Sequence, residues 1–154
     1  MTAVQAQPDA RAGKYDTLKL ENQLCFPLYA ASHSIIRQYR PYLDELGLTY
    51  TQYIAMMVFW EEKKISVKEL GRKLFLDSGT LTPVLKCLEA KGYVTRSRSR
   101  DDERVLLVEI TPRGEALRDA ALSVPRNMAC CLPLSPDEAL TLYTLLYKVL
   151  GAAS

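Results

Sequence analysis

Three observations predict a mainly α-helical protein with one small β-hairpin. The 154 residues suffice for one domain, and 48% hydrophobic with 25% charged residues is the balance of a soluble globular chain. Apolar residues recur at helical spacing through most of the sequence. Within residues 93–110, two runs of apolar and β-branched residues flank a charged tip, which is typical of a hairpin.

The start of the chain is expected to be a tail. Residues 1–16 are polar and are predicted to be flexible, without the apolar segment that signal peptides contain. No apolar run in the chain approaches the length that spans a bilayer. The expected location is therefore the cytoplasm, with no membrane partner, and the four cysteines are expected there as thiols.

The segment after this tail is predicted to be helical. Apolar side chains recur at roughly helical spacing through residues 18–39. Because proline removes a helical hydrogen bond and clashes with the preceding turn, Pro27 predicts either a kink or a helix start. Pro41 is expected to end this helix, and residues 42–46 to form a short helix that stops at Gly47.

The middle of the chain is predicted to form three helices, at residues 49–60, 66–74 and 80–91, with an extended link at 65–67 and a turn at 75–79. Ser66 is expected to cap the second helix, and Glu69 to complete a capping box. Pro83 is expected near the first turn of the third helix, where proline is tolerated. Gly92 is expected to end it.

The rest of the chain is predicted to be a hairpin followed by two helices. The hairpin has a long polar tip, and its strands are residues 93–97 and 104–110. Thr111 and Pro112 begin the first helix, which Pro125 bends or breaks. Ser135 begins the second, with a proline next and Glu138 at the third helical position.

The charge of the chain is unevenly distributed. Residues 63–104 carry eleven Lys/Arg and six Asp/Glu, whereas the remainder carries nine and twelve. A basic segment inside a near-neutral protein is the footprint of a nucleic-acid surface. A solvated charged face is the commoner reason for such a cluster, so charge alone leaves both interpretations open.

Two of the predicted helices form a helix-turn-helix pattern, which can place the second helix in the major groove of DNA. The outward face of that helix offers short side chains and one cation: Thr80, Thr82, Pro83 and Lys86. The adjoining hairpin carries the arginines of a basic wing, suited to the minor groove or the phosphates: Arg96, Arg98, Arg100 and Arg104. A plain helical hairpin with a charged surface loop is the alternative.

One domain is predicted over residues 17–154, with a winged helix-turn-helix at about residues 49–111. The helical regions at about residues 17–46 and 112–150 carry more apolar surface than a small monomer leaves in water. Dimerisation through both regions would bury that surface.

Three stretches are similar to a known family. Leu-Asp-Ser-Gly-Thr-Leu-Thr-Pro at residues 76–83, followed by Lys86, resembles the recognition helix of MarR-family winged-helix regulators. Asp-Asp-Glu-Arg at residues 101–104, followed by Ile-Thr at 110–111, resembles that family's wing. Leu-Glu-Asn-Gln-Leu-Cys-Phe at residues 20–26 is similar to the N-terminal motif of its OhrR-type organic-hydroperoxide sensors.

The resemblance covers nearly all of residues 19–150 and implies a homodimeric repressor that binds a near-palindromic operator in double-stranded DNA. With Asp102 as support for the wing, the candidate DNA contacts are Asp77, Ser78, Gly79, Thr80, Thr82, Pro83, Lys86, Arg96, Arg98, Arg100 and Arg104. Neither a cofactor nor an enzymatic activity is predicted. The single histidine, His33, makes a His-dependent triad or His-rich metal site hard to build.

The same resemblance implies a redox-sensing thiol. Cys25 is the implied sensor of organic hydroperoxides, and the hydroxyls of Tyr39 and Tyr50, with Tyr29 nearby, are implied to support it. In the two-cysteine branch, a C-terminal cysteine of the other subunit resolves the oxidised thiol as a disulfide. The candidates for that role are Cys130, which fits the pattern best, and Cys131 beside it.

Apart from the resemblance, the residues themselves allow several interpretations of the cysteines. Without its flanking motif, Cys25 would be assigned as a small buried hydrophobe, the usual state of a free cysteine. A helix starting at Pro27 would instead favour a Cys25 thiolate through its dipole. Cys87 is expected to occupy surface, and adjacent Cys130 and Cys131 have poor spacing for zinc.

Other functions remain open at this stage. A MarR-type regulator could sense a small aromatic ligand without covalent chemistry, which would make Cys25 incidental. A thiol peroxidase would use Cys25 for turnover, but it would leave the basic wing unexplained. A purely architectural DNA-binding protein would not recognise a specific sequence.

Overall fold

In a computed structural model, the described residues, 13–129 and 132–151, form seven α-helices and three β-strands. The helices are α1 (Cys25–Glu45), α2 (Tyr50–Glu62), α3 (Val67–Leu74), α4 (Ser78–Ala90), α5 (Pro112–Ala121), α6 (Ser123–Ala129) and α7 (Pro136–Val149). The strands are β1 (Lys64–Ser66), β2 (Val94–Arg98) and β3 (Leu106–Ile110). The predicted fold class, mainly helical with a small β-wing, is confirmed. Cys130, Cys131 and residues 1–12 of the predicted tail lie outside the described residues.

The fold divides into two compact units, one reaching to Gln38 and the other beginning at Tyr39. The first unit opens with two short 3₁₀ helices, Asp16–Leu18 and Leu20–Asn22. The side-chain amide of Asn22 donates to the carbonyl oxygen of Asp16 at 2.7 Å and ties the two turns together. Residues 18–24 therefore precede the first α-helix, although their apolar spacing predicted that they belong to it.

Helix α1 extends further than its prolines predicted. It begins at Cys25, so Pro27 lies in its first turn. Of the two alternatives predicted for Pro27, a helix start nearby is therefore confirmed, and the kink is not needed. The prediction that Pro41 ends this helix is wrong, because α1 continues through it. Leu43 in the next turn is only 2% exposed, and its burial offsets the hydrogen bond that Pro41 removes. The helix stops before Gly47, whose φ is +64°.

The next two helices each follow a capping residue, and the cap predicted at Ser66 is confirmed. Thr49 caps α2, and Ser66 caps α3 by accepting a hydrogen bond from the Glu69 amide at 3.2 Å. The capping box predicted at Ser66 is only half formed. The Glu69 carboxylate pairs with Arg72 at 3.4 Å instead of returning to the Ser66 amide.

Helix α4 begins earlier than its pattern predicted. The Asp77 carboxylate accepts a hydrogen bond from the Thr80 amide at 2.9 Å, and this cap starts the helix at Ser78. Pro83 therefore lies inside the helix, beyond the first turn in which it was expected. Gly92, with φ of +73°, follows the helix end as predicted.

The three strands form one antiparallel sheet in the order β1–β3–β2. The predicted hairpin is confirmed as β2 and β3, with Arg96 opposite Val108. The segment expected as an extended link is β1, in which Ile65 also faces Val108. A strand of three residues is too short to show an alternating pattern, so only its pairing with β3 reveals it.

The C-terminal helices follow proline and capping rules. Helix α5 ends at Ala121, because Pro125 has no amide hydrogen to donate to the Ala121 carbonyl four residues earlier. Ser135 caps helix α7, which begins at Pro136, and the predicted capping box with Glu138 is complete. No helix in the described part of the chain is long and apolar enough to cross a membrane.

The core of the second unit joins α2, the helix-turn-helix and the sheet. The residues at its centre are Met56, Phe59, Leu70, Leu81, Leu85, Leu88, Val94 and Val108. The indole N–H of Trp60 donates to the carbonyl oxygen of Gly114 at 2.9 Å and ties α2 to α5. A side chain at Gly114 would place its Cβ 2.2 Å from the Tyr93 carbonyl oxygen, so this close approach requires glycine.

Candidate DNA interface and thiol site

Helix α4 has one buried face and one exposed face. Leu81, Leu85 and Leu88 are at most 1% exposed and anchor the helix against α2, α3 and β2. The exposed face carries six of the predicted DNA contacts: Ser78, Gly79, Thr80, Thr82, Pro83 and Lys86. This is the presentation that a recognition helix needs in order to enter a major groove.

Two threonine hydroxyls on the exposed face donate hydrogen bonds within the protein. The Thr80 hydroxyl donates to the Asp77 carboxylate at 3.0 Å, and the Thr82 hydroxyl donates to the Ser78 carbonyl oxygen at 2.7 Å. The hydrogen bond from the Thr80 amide is the main cause that lowers the pKa of Asp77. Asp77 therefore serves as an ionised helix cap, and its predicted contact with DNA stays a prediction.

The wing is joined to the recognition helix by an ion pair. Arg96 on β2 donates from Nε to the Glu89 carboxylate on α4 at 2.9 Å. This hydrogen bond is the main cause that lowers the pKa of Glu89. Arg96 thus has a partner inside the protein, and its contact with DNA stays a prediction.

The tip of the wing is shaped by two further arginines. Arg98 donates to the carbonyl oxygen of Glu103 at 2.7 Å. The predicted pairing of Asp102 with Arg104 is confirmed, with 3.1 Å between Nε and the carboxylate, and Arg104 lowers the pKa of Asp102. The Arg104 side chain nevertheless remains 91% exposed. Within the described part of the chain, Arg100 makes no hydrogen bond or ion pair, so it is free to meet a phosphate.

A lysine holds the other end of the recognition helix, and no pattern in the sequence indicated this role. The Lys91 ammonium donates to the side-chain oxygen of Gln52 at 3.1 Å and to the carbonyl oxygen of Gly47. Gln52 is only 7% exposed and also completes the capping box with Thr49. Because these partners lie 39 and 44 residues from Lys91, no local pattern could have identified the contact.

Cys25 is an exposed, free thiol at the first residue of α1, because this helix begins two residues before Pro27. The thiolate is the reactive form of cysteine, and an exposed thiol is accessible to an oxidant. One turn further on, Tyr29 is 63% exposed, and its ring lies 4.4 Å from that of His33 between centroids. Exposed apolar side chains, including Leu24, adjoin the thiol in sequence.

The two tyrosines predicted to support the sensor contact each other in the second unit. The ring centroids of Tyr39 and Tyr50 are 4.9 Å apart in an edge-to-face arrangement, and Tyr53 lies 6.1 Å from Tyr39. Burial raises the pKa of all three hydroxyls. Cys25 belongs to the other unit, so the predicted hydrogen bonds to it stay a prediction.

The other cysteines are placed only in part. Cys87 is a half-buried free thiol on α4. Cys130 and Cys131 lie outside the described residues, so the resolving role of either stays a prediction. Within residues 13–129 and 132–151, no group of three or more His, Cys, Asp or Glu side chains could hold a metal ion.

A cleft of about 220 Å³ opens beside α2, α5 and α6 in the second unit. Its lining combines apolar walls with one cation and one anion: Tyr53, Met57, Trp60, Glu61, Arg118, Ala121, Leu122 and Pro125. Such a cleft has the composition of a site for a small organic ligand, although its volume is modest for that purpose.

Comparison with known proteins identifies the family. The family described as "Transcriptional regulator SarA/Rot" matches residues 37–120. The organic hydroperoxide resistance transcriptional regulator of Bacillus subtilis is 44% identical over 137 residues, which is 89% of this chain and 93% of the relative. The chain belongs to the MarR/SarA family of winged-helix transcriptional regulators.

Solved structures of this family include proteins bound to DNA. AbfR of Staphylococcus epidermidis has been solved reduced on DNA, with a TM-score of 0.72 and 35% identity over 90% of this chain and 96% of that one. It has also been solved overoxidised on DNA and in a disulfide form. A mutant MarR of Escherichia coli, solved with operator DNA, has a TM-score of 0.77 and 28% identity over 90% of this chain and 99% of that one.

In this MarR/SarA-family chain, the second unit brings together most of the predicted site. The exposed face of α4 and the wing belong to one helix-turn-helix and sheet, and Tyr39 meets Tyr50. Cys25 lies at the start of α1 in the first unit.

Proposed function

We propose that this transcriptional regulator is a redox-responsive repressor, with Cys25 as the sensor of organic hydroperoxides. The observation that carries the proposal is an exposed free thiol at the N-terminus of α1, in a chain 44% identical to the Bacillus subtilis organic hydroperoxide resistance regulator. The thiolate is the form of cysteine that reacts with a peroxide, and exposure admits the oxidant. The neighbouring exposed leucines favour an apolar peroxide over hydrogen peroxide.

The reduced protein is proposed to hold double-stranded DNA as a homodimer. Residues 49–111 would read each half-site of a near-palindromic operator, with α4 in the major groove and the wing beside it. Residues 17–46 and 112–150 would form the dimer interface. The support is the apolar surface that α7 leaves exposed, including Leu140 at 65% and Val149 at 73%.

Sensing is proposed to proceed in two balanced steps. The Cys25 thiolate attacks one peroxide oxygen, the O–O bond breaks, and an alcohol leaves once its alkoxide takes up a proton, so that the sulfur becomes a sulfenic acid. The thiol of a C-terminal cysteine of the other protomer, Cys130 or Cys131, then attacks that sulfur, forming the disulfide and releasing water. One peroxide is thereby reduced by two thiols.

The disulfide is proposed to be the step that releases DNA. Because disulfide geometry is strict, forming the bond requires the sulfur atoms to approach, and the half-site spacing of the dimer would change. A loss of about 1.4 kcal/mol already lowers affinity tenfold. In AbfR, an overoxidised form has been solved on DNA, so overoxidation of that protein is compatible with DNA binding. That finding favours the cross-link over thiol oxidation alone as the signal.

The test is fluorescence anisotropy with DNA from upstream of the chain's own gene, before and after an organic hydroperoxide. Wild type is expected to release the DNA and to run as a linked dimer on a non-reducing gel, whereas Cys25→Ser should do neither. Cys130→Ser and Cys131→Ser identify the resolving thiol, and Cys87→Ser is the matched control that should still respond. Release by Cys25→Ser would contradict the proposal, and absence of specific binding by the reduced protein would overturn the repressor assignment.

The cleft beside α2 favours one alternative, a regulator that binds a small aromatic ligand without covalent chemistry. Arg118 supplies a cation for a carboxylate, and Trp60 and Tyr53 supply aromatic walls. In that case salicylate, as a probe, would weaken DNA binding by wild type and by Cys25→Ser equally. Arg118→Gln would abolish the effect.

A further inference from the structure

Thr80 and Thr82 carry the hydrogen-bond acceptors and methyl groups that α4 can present to DNA. A hydroxyl has a single proton to donate, and here Thr80 gives its proton to Asp77 while Thr82 gives its proton to Ser78. The remaining lone pairs of each hydroxyl can only accept. Each threonine also carries a methyl group on the exposed face of α4.

Pro83 extends the same character along the helix. It lies inside α4, is exposed, and has no amide hydrogen to donate to the carbonyl of Gly79, four residues earlier. Its ring adds apolar surface, and the Gly79 carbonyl lacks its usual helical donor. Lys86 is the exposed cation that follows on this face, one turn further along.

The base edges of the major groove place different demands on such a face. Guanine presents two acceptors there and must be met by donors, whereas adenine and cytosine present amino groups and thymine presents a 5-methyl group. Acceptors on the helix therefore match the amino groups of adenine and cytosine, and methyl groups on the helix match the methyl group of thymine.

We propose that Thr80, Thr82 and Pro83 select thymine methyl groups in each half-site, with Lys86 as the donor to guanine on this face. The inference rests on the proposed DNA-binding function and specifies which chemical groups of the bases helix α4 recognises.

The experiment removes the thymine methyl from the DNA. The probe is a duplex that the reduced protein enriches from a randomised library, prepared with thymine or with uracil, which lacks only the 5-methyl group. Anisotropy is expected to show about fourfold weaker binding for each contacted methyl removed, the effect of burying one such carbon. Thr82→Ser keeps the hydroxyl but loses the methyl, so its preference for thymine over uracil should be smaller.

Thr144→Ser is the matched control. The Thr144 hydroxyl donates to the carbonyl oxygen of Leu140, four residues earlier on α7, at 2.9 Å, which reproduces the bond of Thr82 away from the recognition helix. This variant should keep the full preference for thymine. Circular dichroism of each variant checks that it is folded.

Equal binding of the thymine and uracil duplexes by wild type would overturn the inference. A thymine preference that persists undiminished in Thr82→Ser and in a Thr80→Ser, Thr82→Ser, Pro83→Ala triple variant would also overturn it. If the triple variant does not fold, the comparison of Thr82→Ser with Thr144→Ser decides. Failure to enrich any sequence would instead overturn the proposed function itself, together with the inference that rests on it.

Discussion

Helices α4 and α7 both begin at well-formed caps, yet they bury their apolar residues to very different extents. In α4, Leu81, Leu85 and Leu88 are at most 1% exposed, whereas α7 buries no residue and leaves Val149 73% exposed. Local signals therefore suffice to start either helix, but only α4 has its packing partners within one chain. The DNA-reading part is complete in a single copy, and α7 presents an apolar surface without a partner among the described residues.

The first unit resembles α7 in this respect. Leu18 is 77% exposed and Leu24 is 76% exposed, and both precede Cys25 within seven residues of the sequence. Both regions with such surface are those in which the sequence predicted dimerisation. If the proposed dimer forms there, the sensor and the subunit interface share one part of the molecule, which gives oxidation a direct route to altering the dimer.

The largest expected effect is on the core of the DNA-reading part. Leu85→Ala should lower the free energy of unfolding by about 2–5 kcal/mol, because it leaves a cavity at a fully packed position. Leu140→Ala, 65% exposed on α7, is the control and should change it by less than about 0.5 kcal/mol at protein concentrations where the chain is monomeric. Urea unfolding measures both. Similar losses at that concentration would break the contrast between the two helices.

The second prediction concerns the exposed surface of α7. Leu145→Glu combined with Val149→Glu should convert a dimer into a monomer, measured by sedimentation, and should lower operator affinity at least about tenfold because one half-site is lost. Far-UV circular dichroism should stay close to that of wild type. Thr141→Ser on the same helix is the control. A variant that remains dimeric would place the interface elsewhere.

The ion pair between the wing and the recognition helix should have a smaller effect. Glu89→Gln and Arg96→Gln should each weaken DNA binding less than about tenfold, and the double variant should add little to either. The slope of log affinity against log salt concentration distinguishes a residue that positions the wing from one that contacts a phosphate. Losing one phosphate contact lowers that slope by about 0.9, so Arg100→Gln should lower it and Glu89→Gln should not. A lowered slope for Arg96→Gln would show that Arg96 also meets DNA.

The smallest effect is expected from the tyrosine cluster at high pH. Burial raises the pKa of Tyr50 above its ordinary value of 10.0, so its contribution to stability is present below pH 10 and is lost as pH rises through the raised pKa. Tyr50→Phe should therefore lose less stability than wild type between pH 8 and pH 11. The urea midpoint at each pH measures this. An identical pH dependence in both proteins would contradict the assignment.

Helix starts were predictable because their causes are local. Ser66, Thr111 and Ser135 each cap the helix that follows, as their own amino-acid types and near neighbours indicated. Predictions based on proline were less secure. Pro41 and Pro83 both lie inside helices, because burial of Leu43 and of Leu81 and Leu85 outweighs the local penalty.

The partners of charged side chains were not predictable. The sequence identified Arg96 as a basic wing residue, but its pairing with Glu89 depends on how β2 packs beside α4. No local pattern indicated a role for Lys91, because its contact with Gln52 forms only when α2 and the end of α4 meet. By contrast, Asp102 and Arg104 are two residues apart, and their pairing was predicted correctly.

The sequence by itself determined the hairpin and the exposed face of the recognition helix. Through three motifs spread along the chain, it also determined the family and the candidate thiol. These features depend on caps, periodicity and residue types that act within a few positions of one another. Only the tertiary structure decided that β1 completes the sheet, that α1 passes through Pro41, and which charges are paired. Those outcomes depend on packing between segments far apart in the chain, where burial free energy exceeds local preference.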